Sequence, residues 1–148
     1  MAGKRRRLYA IVAVIVIIVV STAFFIYYWQ SHSNLVRIKD FFKSGGGQAG
    51  EYLILGFTVK MENQGVNDVT GLIMVVKVLG NGTELAQDGH PLRPNTLFRG
   101  EEREDEELGV IINMTETIDE TLSAVAWIEL NGAILDQANL SLQQPFFS

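Results

Sequence analysis

The densest cluster of ionisable side chains is the run EEREDEE at residues 101–107, with six carboxylates and one arginine. Carboxylate oxygens bind hard cations such as Ca²⁺ when they converge on one point, usually around a tight glycine turn. Gly100 precedes the run and Gly109 follows it, so no glycine turn interrupts it. In an extended strand, the even-numbered carboxylates point to one side and the odd-numbered residues to the other.

A strand that is charged on both faces fits an edge position, where charge also discourages pairing with other chains. We therefore predict a solvated edge strand or loop at residues 101–107. Two alternatives are a docking face for a basic partner and a cation site.

No motif in the chain predicts catalysis. The only histidines are His32, beside an apolar segment, and His90, in a Gly-His-Pro stretch that reads as a turn. There is no Cys, no GxSxG, no P-loop and no HExxH. We predict a protein that is not an enzyme, with no catalytic residues, no cofactor-binding residues and no metal site.

Three N-glycosylation sequons occur, at Asn81, Asn113 and Asn139. A sequon needs a Ser or Thr two positions after the Asn and an exposed acceptor. For Asn81 alone, an equally good explanation is that Asn-Gly forms a hairpin turn.

Residues 8–29 read LYAIVAVIVIIVVSTAFFIYYW and contain no charge. A helix of this length spans roughly 33 Å, enough to cross the hydrocarbon core of a bilayer at about 30 Å. Cations precede the segment and aromatic residues close it, as the positive-inside rule and the interfacial aromatic belt require. The cations are Lys4, Arg5, Arg6 and Arg7, and the belt is Tyr27, Tyr28 and Trp29.

We predict a retained, single-pass membrane helix with a cytoplasmic N-terminus and an extracellular C-terminal domain. One alternative is a cleaved secretory signal, since Ser21, Thr22 and Ala23 are small residues at suitable spacing. However, the apolar run continues beyond them. A buried core helix is disfavoured because no acid or amide breaks the segment.

The predicted outer part is acidic, with 8 Lys and Arg against 17 Asp and Glu, a net charge of −9. This charge disfavours nucleic acid as a partner. The expected partners are membrane lipid, through the helix, and another surface protein or a second copy of the chain. Without Cys, a domain outside the cell must be held by its core alone.

Period-two alternation predicts strands through most of residues 51–142. In EYLILGFTVKME, Phe57 falls in the inward phase and Thr58 in the outward phase, and Asn81-Gly82 and Asn131-Gly132 predict type I′ hairpins. Residues 35–42 are ambiguous between strand and helix, with strand favoured because SGGGQAG at 44–50 reads as a long turn. Trp127 is predicted to lie in the core or to cover a sheet edge, with a binding-face aromatic as the alternative.

The stretch FTVKMENQGVNDVTGLIMVVKVLGNGTELA, followed by LFRGEERE, resembles the small Ig-like modules called CARDB and FxLYD, and the late-embryogenesis-abundant type 2 (WHy) domain. The residues that match the shared skeleton are Asn63, Gly65, Gly82, Gly100 and Glu101. Where those families often have Pro-Gly-Glu, this chain has Arg-Gly-Glu. The resemblance implies an Ig-like sandwich in a surface-attached interaction module, without catalytic residues.

The predicted architecture is an all-β, Ig-like antiparallel β-sandwich of about seven strands after a single transmembrane helix. Its parts are a basic tail at 1–7, the helix at 8–29, a juxtamembrane segment and Gly-rich turn at 30–50, the sandwich at 51–142 and a C-terminal tail at 143–148. The turn chemistry, the lack of Cys and the sequons are typical of archaeal surface proteins. The expected function is non-catalytic binding or support, and the alternative is a pilin-like or archaellum-associated subunit that assembles through its helix.

Overall fold

The structure, a computed structural model, describes residues 2–32, 35–113 and 121–143. The helix and the β-strands form two separate compact units. The elements in chain order are α1 (Ala2–His32), β1 (Val36–Ala49), β2 (Tyr52–Asn63), β3 (Val69–Thr70), β4 (Ile73–Gly80), β5 (Thr83–Pro91), β6 (Thr96–Leu97), β7 (Glu102–Asn113), β8 (Leu122–Leu130) and β9 (Ala133–Leu142).

The helix α1 is apolar around its whole circumference. Gly3–Trp29 is long and apolar enough to cross a membrane, with a mean hydropathy of 2.9, and none of it is buried. Val and Ile dominate the segment, yet a helix satisfies every backbone hydrogen bond internally. Thr22 adds a bond from its hydroxyl to the Ile18 carbonyl at 2.8 Å. The helix begins at Ala2, so the basic residues predicted as a tail belong to its first turns.

The strands form two packed antiparallel sheets, which confirms the predicted all-β, Ig-like sandwich. One sheet has the order β1-β2-β7, the other has the order β5-β4-β8-β9, and β3 pairs with β6 alongside. Within the described residues, seven strands have eight residues or more, in line with the predicted number, and β3 and β6 are two-residue additions.

The core lies between the two sheets and is built by the predicted alternation. The largest fully buried side chains are those of Phe57, Leu53, Leu55, Met61, Leu72, Met74, Leu92, Leu97, Leu108, Leu122, Ile128 and Val36. The rings of Phe41 and Phe57 lie 5.6 Å apart and join β1 to the centre of the sheet. Burial of this set provides the main stabilisation in a domain without disulfides.

Both predicted Asn-Gly hairpins are present. Asn81 and Asn131 have φ angles of 50° and 51°, and the glycines after them have φ angles of 84° and 82°. Positive φ at both central residues is the type I′ geometry that connects twisted strands in two residues. The hairpins join β4 to β5 and β8 to β9.

The glycine-rich stretch is not the predicted long turn. Residues 36–49 form one continuous strand, so residues 35–42 lead into strand rather than helix, and the turn is confined to Gly50 and Glu51. The glycines pair with β2 through their backbone, Gly45 with Gly56 and Gly47 with Ile54. Pairing with a long neighbouring strand outweighs the low strand propensity of glycine.

Three further predictions from the alternation differ from the structure. Thr58, assigned to the outward face of β2, is 2 % exposed. Trp127 lies outside the core, half-buried on the outer face of β8, where the Lys77 Nζ sits 5.5 Å from its ring centroid. The alternation of VTGLIMVVKVL predicts one strand at 69–79, but the strand breaks at Gly71, whose φ of 89° separates β3 from β4.

Asn63 is a fully buried polar residue whose hydrogen bonds hold one end of the sandwich together. Its Nδ2 donates to the carbonyls of Asn67 and Leu97, at 2.8 and 3.1 Å. Its Oδ1 accepts a bond from the Gly65 N–H, and its backbone exchanges bonds with Gly100 and Glu101. Four of the five residues that carry the family resemblance therefore meet at this point, namely Asn63, Gly65, Gly100 and Glu101.

We expect Asn63→Ala to lower the free energy of unfolding by about 2–4 kcal/mol, because it leaves several buried backbone groups without partners. Gln64→Ala, at the neighbouring exposed position, should cost less than about 0.5 kcal/mol. Urea unfolding of both variants, followed by circular dichroism, measures the difference. Equal losses would contradict the role of the Asn63 side chain.

Candidate functional site: the acidic edge of the three-stranded sheet

The acidic run lies at the start of β7, an edge strand of the three-stranded sheet, as predicted. Along the acidic run, more exposed and less exposed side chains alternate from Glu102 to Glu106, as predicted. The alternation stops after Glu106. The pairing with β2 shifts between Phe57 and Val59, so Glu106 and Glu107 are both exposed. This β-bulge turns Glu107 away from the inward face on which the alternation placed it.

Asp105 is the one buried carboxylate of the run, with its side chain 4 % exposed. Its Oδ2 lies 2.8 Å from the Nε2 of His90, and its Oδ1 accepts a bond from the Glu107 N–H at 3.0 Å. His90 belongs to β5, so this pair connects the two sheets at their shared edge. The predicted turn at Gly-His-Pro is wrong, because β5 continues to Pro91.

Sequence reasoning missed this pair for two reasons. The prolines suggested a turn that ended β5 early, and residues 90 and 105 are distant in sequence. The alternation of β5 continues through Asp88-Gly89-His90-Pro91, which was a signal for the strand but not for the pair.

Arg103 and Glu101 form a second linked pair on the inward side of the strand. Arg103 contacts the Glu101 Oε1 through two of its nitrogens and donates to the carbonyls of Pro94 and Thr96, at 2.6 and 2.8 Å. The Phe98 N–H donates to the Glu101 Oε2 at 2.8 Å. That bond, and after it Arg103, holds the pKa of Glu101 below its usual range.

The outward carboxylates pair with lysines on the other two strands of the sheet, Lys39 on β1 and Lys60 on β2. Glu102 lies 2.8 Å from the Nζ of Lys39 and 3.0 Å from that of Lys60, and Glu104 lies 3.3 Å from the latter. Hydrogen bonds from Lys39 and then Lys60 lower the pKa of Glu102, and they raise the pKa of both lysines. Exposed pairs of this kind contribute little to stability.

A cleft of about 270 Å³ opens beside the bulge, and its lining residues are His90, Leu92, Arg93, Glu104, Asp105, Glu106 and Glu107. The lining contains no hydroxyl or thiol nucleophile beside His90, whose Nε2 is already held by Asp105. Within the described parts of the chain, no group of three His, Cys, Asp or Glu side chains could hold a metal ion. The arrangement supports polar binding at the edge and gives no constellation for nucleophilic catalysis.

The remaining predicted site residues lie apart from this edge. Asn81 occupies a hairpin tip, where its Oδ1 accepts a bond from the Thr121 N–H at 3.2 Å. Asn139 is exposed on the outer side of β9, and Asn113 ends β7. The other residues of the Asn113 sequon fall outside the described ranges.

The predicted topology residues are all on α1. Lys4, Arg5, Arg6 and Arg7 are exposed in its first turns, and Tyr27, Tyr28 and Trp29 are exposed near its other end. The ring of Tyr28 stacks on that of Phe24 at 6.4 Å.

No family model matches the chain, and no curated protein matches it. The resemblance to CARDB, FxLYD and WHy modules is therefore supported only at the level of the β-sandwich.

Solved structures do share the fold. A β-glucuronidase from glycoside hydrolase family 2 matches 70 % of this chain with a TM-score of 0.59 and 9 % identity. A family 2 member from Bacteroides cellulosilyticus DSM 14838 matches 74 % with a TM-score of 0.59 and 15 % identity. The Bacteroides uniformis β-glucuronidase matches 71 % with a TM-score of 0.58 and 16 % identity.

The matched part covers only 12 %, 15 % and 14 % of those three chains, respectively. At such identities the likeness shows the fold alone. The chain is similar to the Ig-like sandwich domains of these hydrolases.

We expect Asp105→Ala to lower the free energy of unfolding by about 2–4 kcal/mol, because it removes a buried link between the sheets and leaves His90 without its partner. Glu106→Ala, one residue away but exposed, should change it by less than about 0.5 kcal/mol. Thermal unfolding of the two variants measures the contrast. Similar losses would show that the acidic run acts only through its total charge.

The depressed pKa of Glu101 predicts a pH dependence. Its stabilising contribution is present above its unfolded value of about 4.3 and is lost as the pH falls through the lower folded value. Glu101→Gln should therefore be less stable than the wild type at pH 7, and the gap should close in acid. Denaturant unfolding from pH 7 to pH 3 measures this gap, with exposed Glu106→Gln as the control that shows none. A gap that persists below the folded pKa would contradict the assignment.

Proposed function

We propose that this protein is a single-pass membrane protein whose β-sandwich acts outside the cell by binding or support, without catalysis. The N-terminus lies in the cytoplasm and α1 remains in the bilayer. The sandwich presents its surfaces to another surface protein or to a second copy of the chain.

The observation that carries the proposal is the helix. In water, the many exposed apolar side chains of Gly3–Trp29 would be strongly unfavourable, and in lipid the same exposure is favourable. The sandwich has a complete core of its own and needs no cover from α1. A self-sufficient domain on an apolar helix is the organisation of an anchored module.

Charge supports the orientation. Lys4, Arg5, Arg6 and Arg7 precede the apolar segment, and the first acidic residue of the chain is Asp40. Basic flanks stay on the cytoplasmic side. Three sequons in the C-terminal part are consistent with an outward domain and with a glycoprotein.

The bonds within the acidic edge favour a protein without catalysis. Glu101, Arg103 and Asp105 are engaged in bonds that hold the strand and its neighbours together. These bonds account for the three side chains without a substrate. The best use of the edge is recognition of a partner, or protection against strand pairing.

A pilin-like or archaellum-associated subunit is the second candidate, because an apolar helix that is exposed all round can also pack against other helices in a filament. Prepilins usually carry a basic-Gly type cleavage site just before the apolar run. Here Arg6-Arg7-Leu8 stands at that place, which favours the anchored module.

The orientation is tested by cysteine labelling, since the chain contains no Cys. A membrane-impermeant maleimide added to intact cells should label Ile134→Cys, which is exposed on the sandwich, and should not label Gly3→Cys until the cells are opened. Protease added outside should digest the sandwich and leave a protected N-terminal fragment. The reverse labelling, or a mature protein beginning near Phe24, would refute the anchored topology.

A further inference from the structure

Two loops at the end of the sandwich where the chain enters it each expose an apolar side chain. β1 begins at Val36, which pairs with Asn63, the last residue of β2. The loop after β2 exposes the side chain of Val66, at 38 %, and the turn before β7 exposes that of Phe98, at 56 %. We call residues 64–68 and 98–100 the entry loops.

Hydrogen bonds fix the backbone of both entry loops and join one loop to the other. The Arg99 N–H donates to the Asp68 Oδ1 at 2.8 Å. The Asn63 side chain bonds to the residues on both sides of Val66, and the N–H and the carbonyl of Phe98 are both bonded within their turn. The two apolar side chains are therefore presented together by an ordered backbone, and burying them would remove apolar surface from water.

The connection between α1 and β1 is short. Only residues 33–35 separate His32, the last residue of α1, from Val36. Even fully extended, the chain reaches from Trp29, where the apolar stretch ends, to Val36 within about 19 Å.

This reach decides which partner fits the entry loops when α1 lies in the bilayer. The headgroup layer takes up roughly 5–8 Å on each side of a bilayer. The remaining length is about the width of a single helix, which is about 10–12 Å across. A folded partner domain does not fit between this end of the sandwich and the bilayer, whereas the lipid surface itself is within reach.

The charges of the entry loops are compatible with a zwitterionic lipid surface. Asp68 and Arg99 are both exposed and are the only ionisable side chains of residues 64–68 and 98–100, so the loops carry no net charge. An arginine beside an exposed Phe can bind lipid phosphate while the ring enters the apolar layer. The rest of the sandwich is acidic and would be repelled by an anionic membrane.

We propose that the entry loops rest on the membrane, with Phe98 and Val66 inserted between the headgroups of a zwitterionic bilayer and Arg99 at the lipid phosphates. Insertion buries the two exposed apolar side chains. It also holds the sandwich against the bilayer at a second point besides α1. The inference rests on the proposed membrane anchor and goes beyond it by assigning a lipid-binding surface to the sandwich.

The test is fluorescence of the full-length protein in phosphatidylcholine vesicles. Because the chain has no Cys, a single introduced cysteine can carry the fluorophore nitrobenzoxadiazole, which emits at shorter wavelength in lipid than in water. Labels at Phe98→Cys and Val66→Cys should show the shorter wavelength and should be quenched by lipid that carries a nitroxide near its headgroup.

Ile111→Cys is the matched control. Its position is 63 % exposed but lies about 30 Å along β7 from Glu102, toward the opposite end of the sandwich. A label there should emit as in water and should escape quenching. Equal emission and quenching at positions 98 and 111 would overturn the proposal.

The role of the Phe98 ring is tested by adding Phe98→Asp to the protein labelled at Val66→Cys. The ratio of lipid-bound to lifted entry loops should fall about tenfold, which corresponds to about 1.4 kcal/mol. Ile111→Asp makes the same change at the opposite end and should leave the label unaffected. An unchanged label in the Phe98→Asp variant would contradict the insertion of this ring.

A label at Val16→Cys, in the middle of α1, separates a failure of this inference from a failure of the anchor. If lipid with a nitroxide deep in its acyl chains quenches this label, while the labels on the entry loops are in water, the inference is wrong and the anchor stands. If the label at Val16→Cys is not quenched, both are wrong. On intact cells, Phe98→Cys that impermeant maleimide cannot reach, although its label is in water in the vesicles, would show that a protein covers the loops and would overturn lipid as the partner.

Discussion

The sandwich depends on how its two sheets are joined at their edges, since strand pairing does not join them. The apolar core between the sheets holds them together, and carboxylates add hydrogen bonds between them at the edges. On one side, Asp136 of β9 accepts a bond from the Ile38 N–H of β1 at 2.9 Å. On the other side, Asp88 of β5 accepts a bond from the Gly109 N–H of β7 at 3.0 Å, and the pair of His90 and Asp105 lies nearby. One backbone N–H at each of these edges is thereby satisfied without closing the sheets into a barrel.

The bonds needed at the sheet edges explain the carboxylates of the acidic run better than binding of a ligand does. One of its carboxylates lies in the seam between the sheets, and Glu101 caps the turn before β7 through the Phe98 N–H. Glu102 and Glu104 interact with lysines across the sheet. At the bulge, Glu106 and Glu107 point into solvent beside the cleft. Most carboxylates of the run therefore have a structural partner that follows from the position of β7 at the edge of its sheet.

Period-two alternation was sufficient to predict the fold class, the two hairpins and the inward phase of β2. The alternation gave wrong predictions where the local structure depends on pairing with a strand that is distant in sequence. Pairing with β2 turned the glycines of β1 into strand, and a bulge opposite Thr58 changed the phase of β7. The pair of His90 and Asp105 was not predictable, since no local pattern places residues of two different sheets together. The prediction for Trp127 was wrong because alternation divides the residues of a strand between two faces but does not show which of the two faces is buried.

The edges of the two sheets and their outer faces differ in how many of their groups are already engaged in bonds within the chain. Each edge of one sheet lies beside an edge of the other and is bridged by carboxylates, so addition of a strand from another chain would break existing bonds. On the outer face of the four-stranded sheet, Lys77 covers Trp127, and the indole N–H is bonded to Glu129 at 3.2 Å. The outer face of the three-stranded sheet retains an uncovered floor of glycine beside exposed isoleucines. Because Gly45, Gly47, Ile54 and Ile111 take no part in the carboxylate bonds between the sheets, this face is separate from the bonds that hold the edges together.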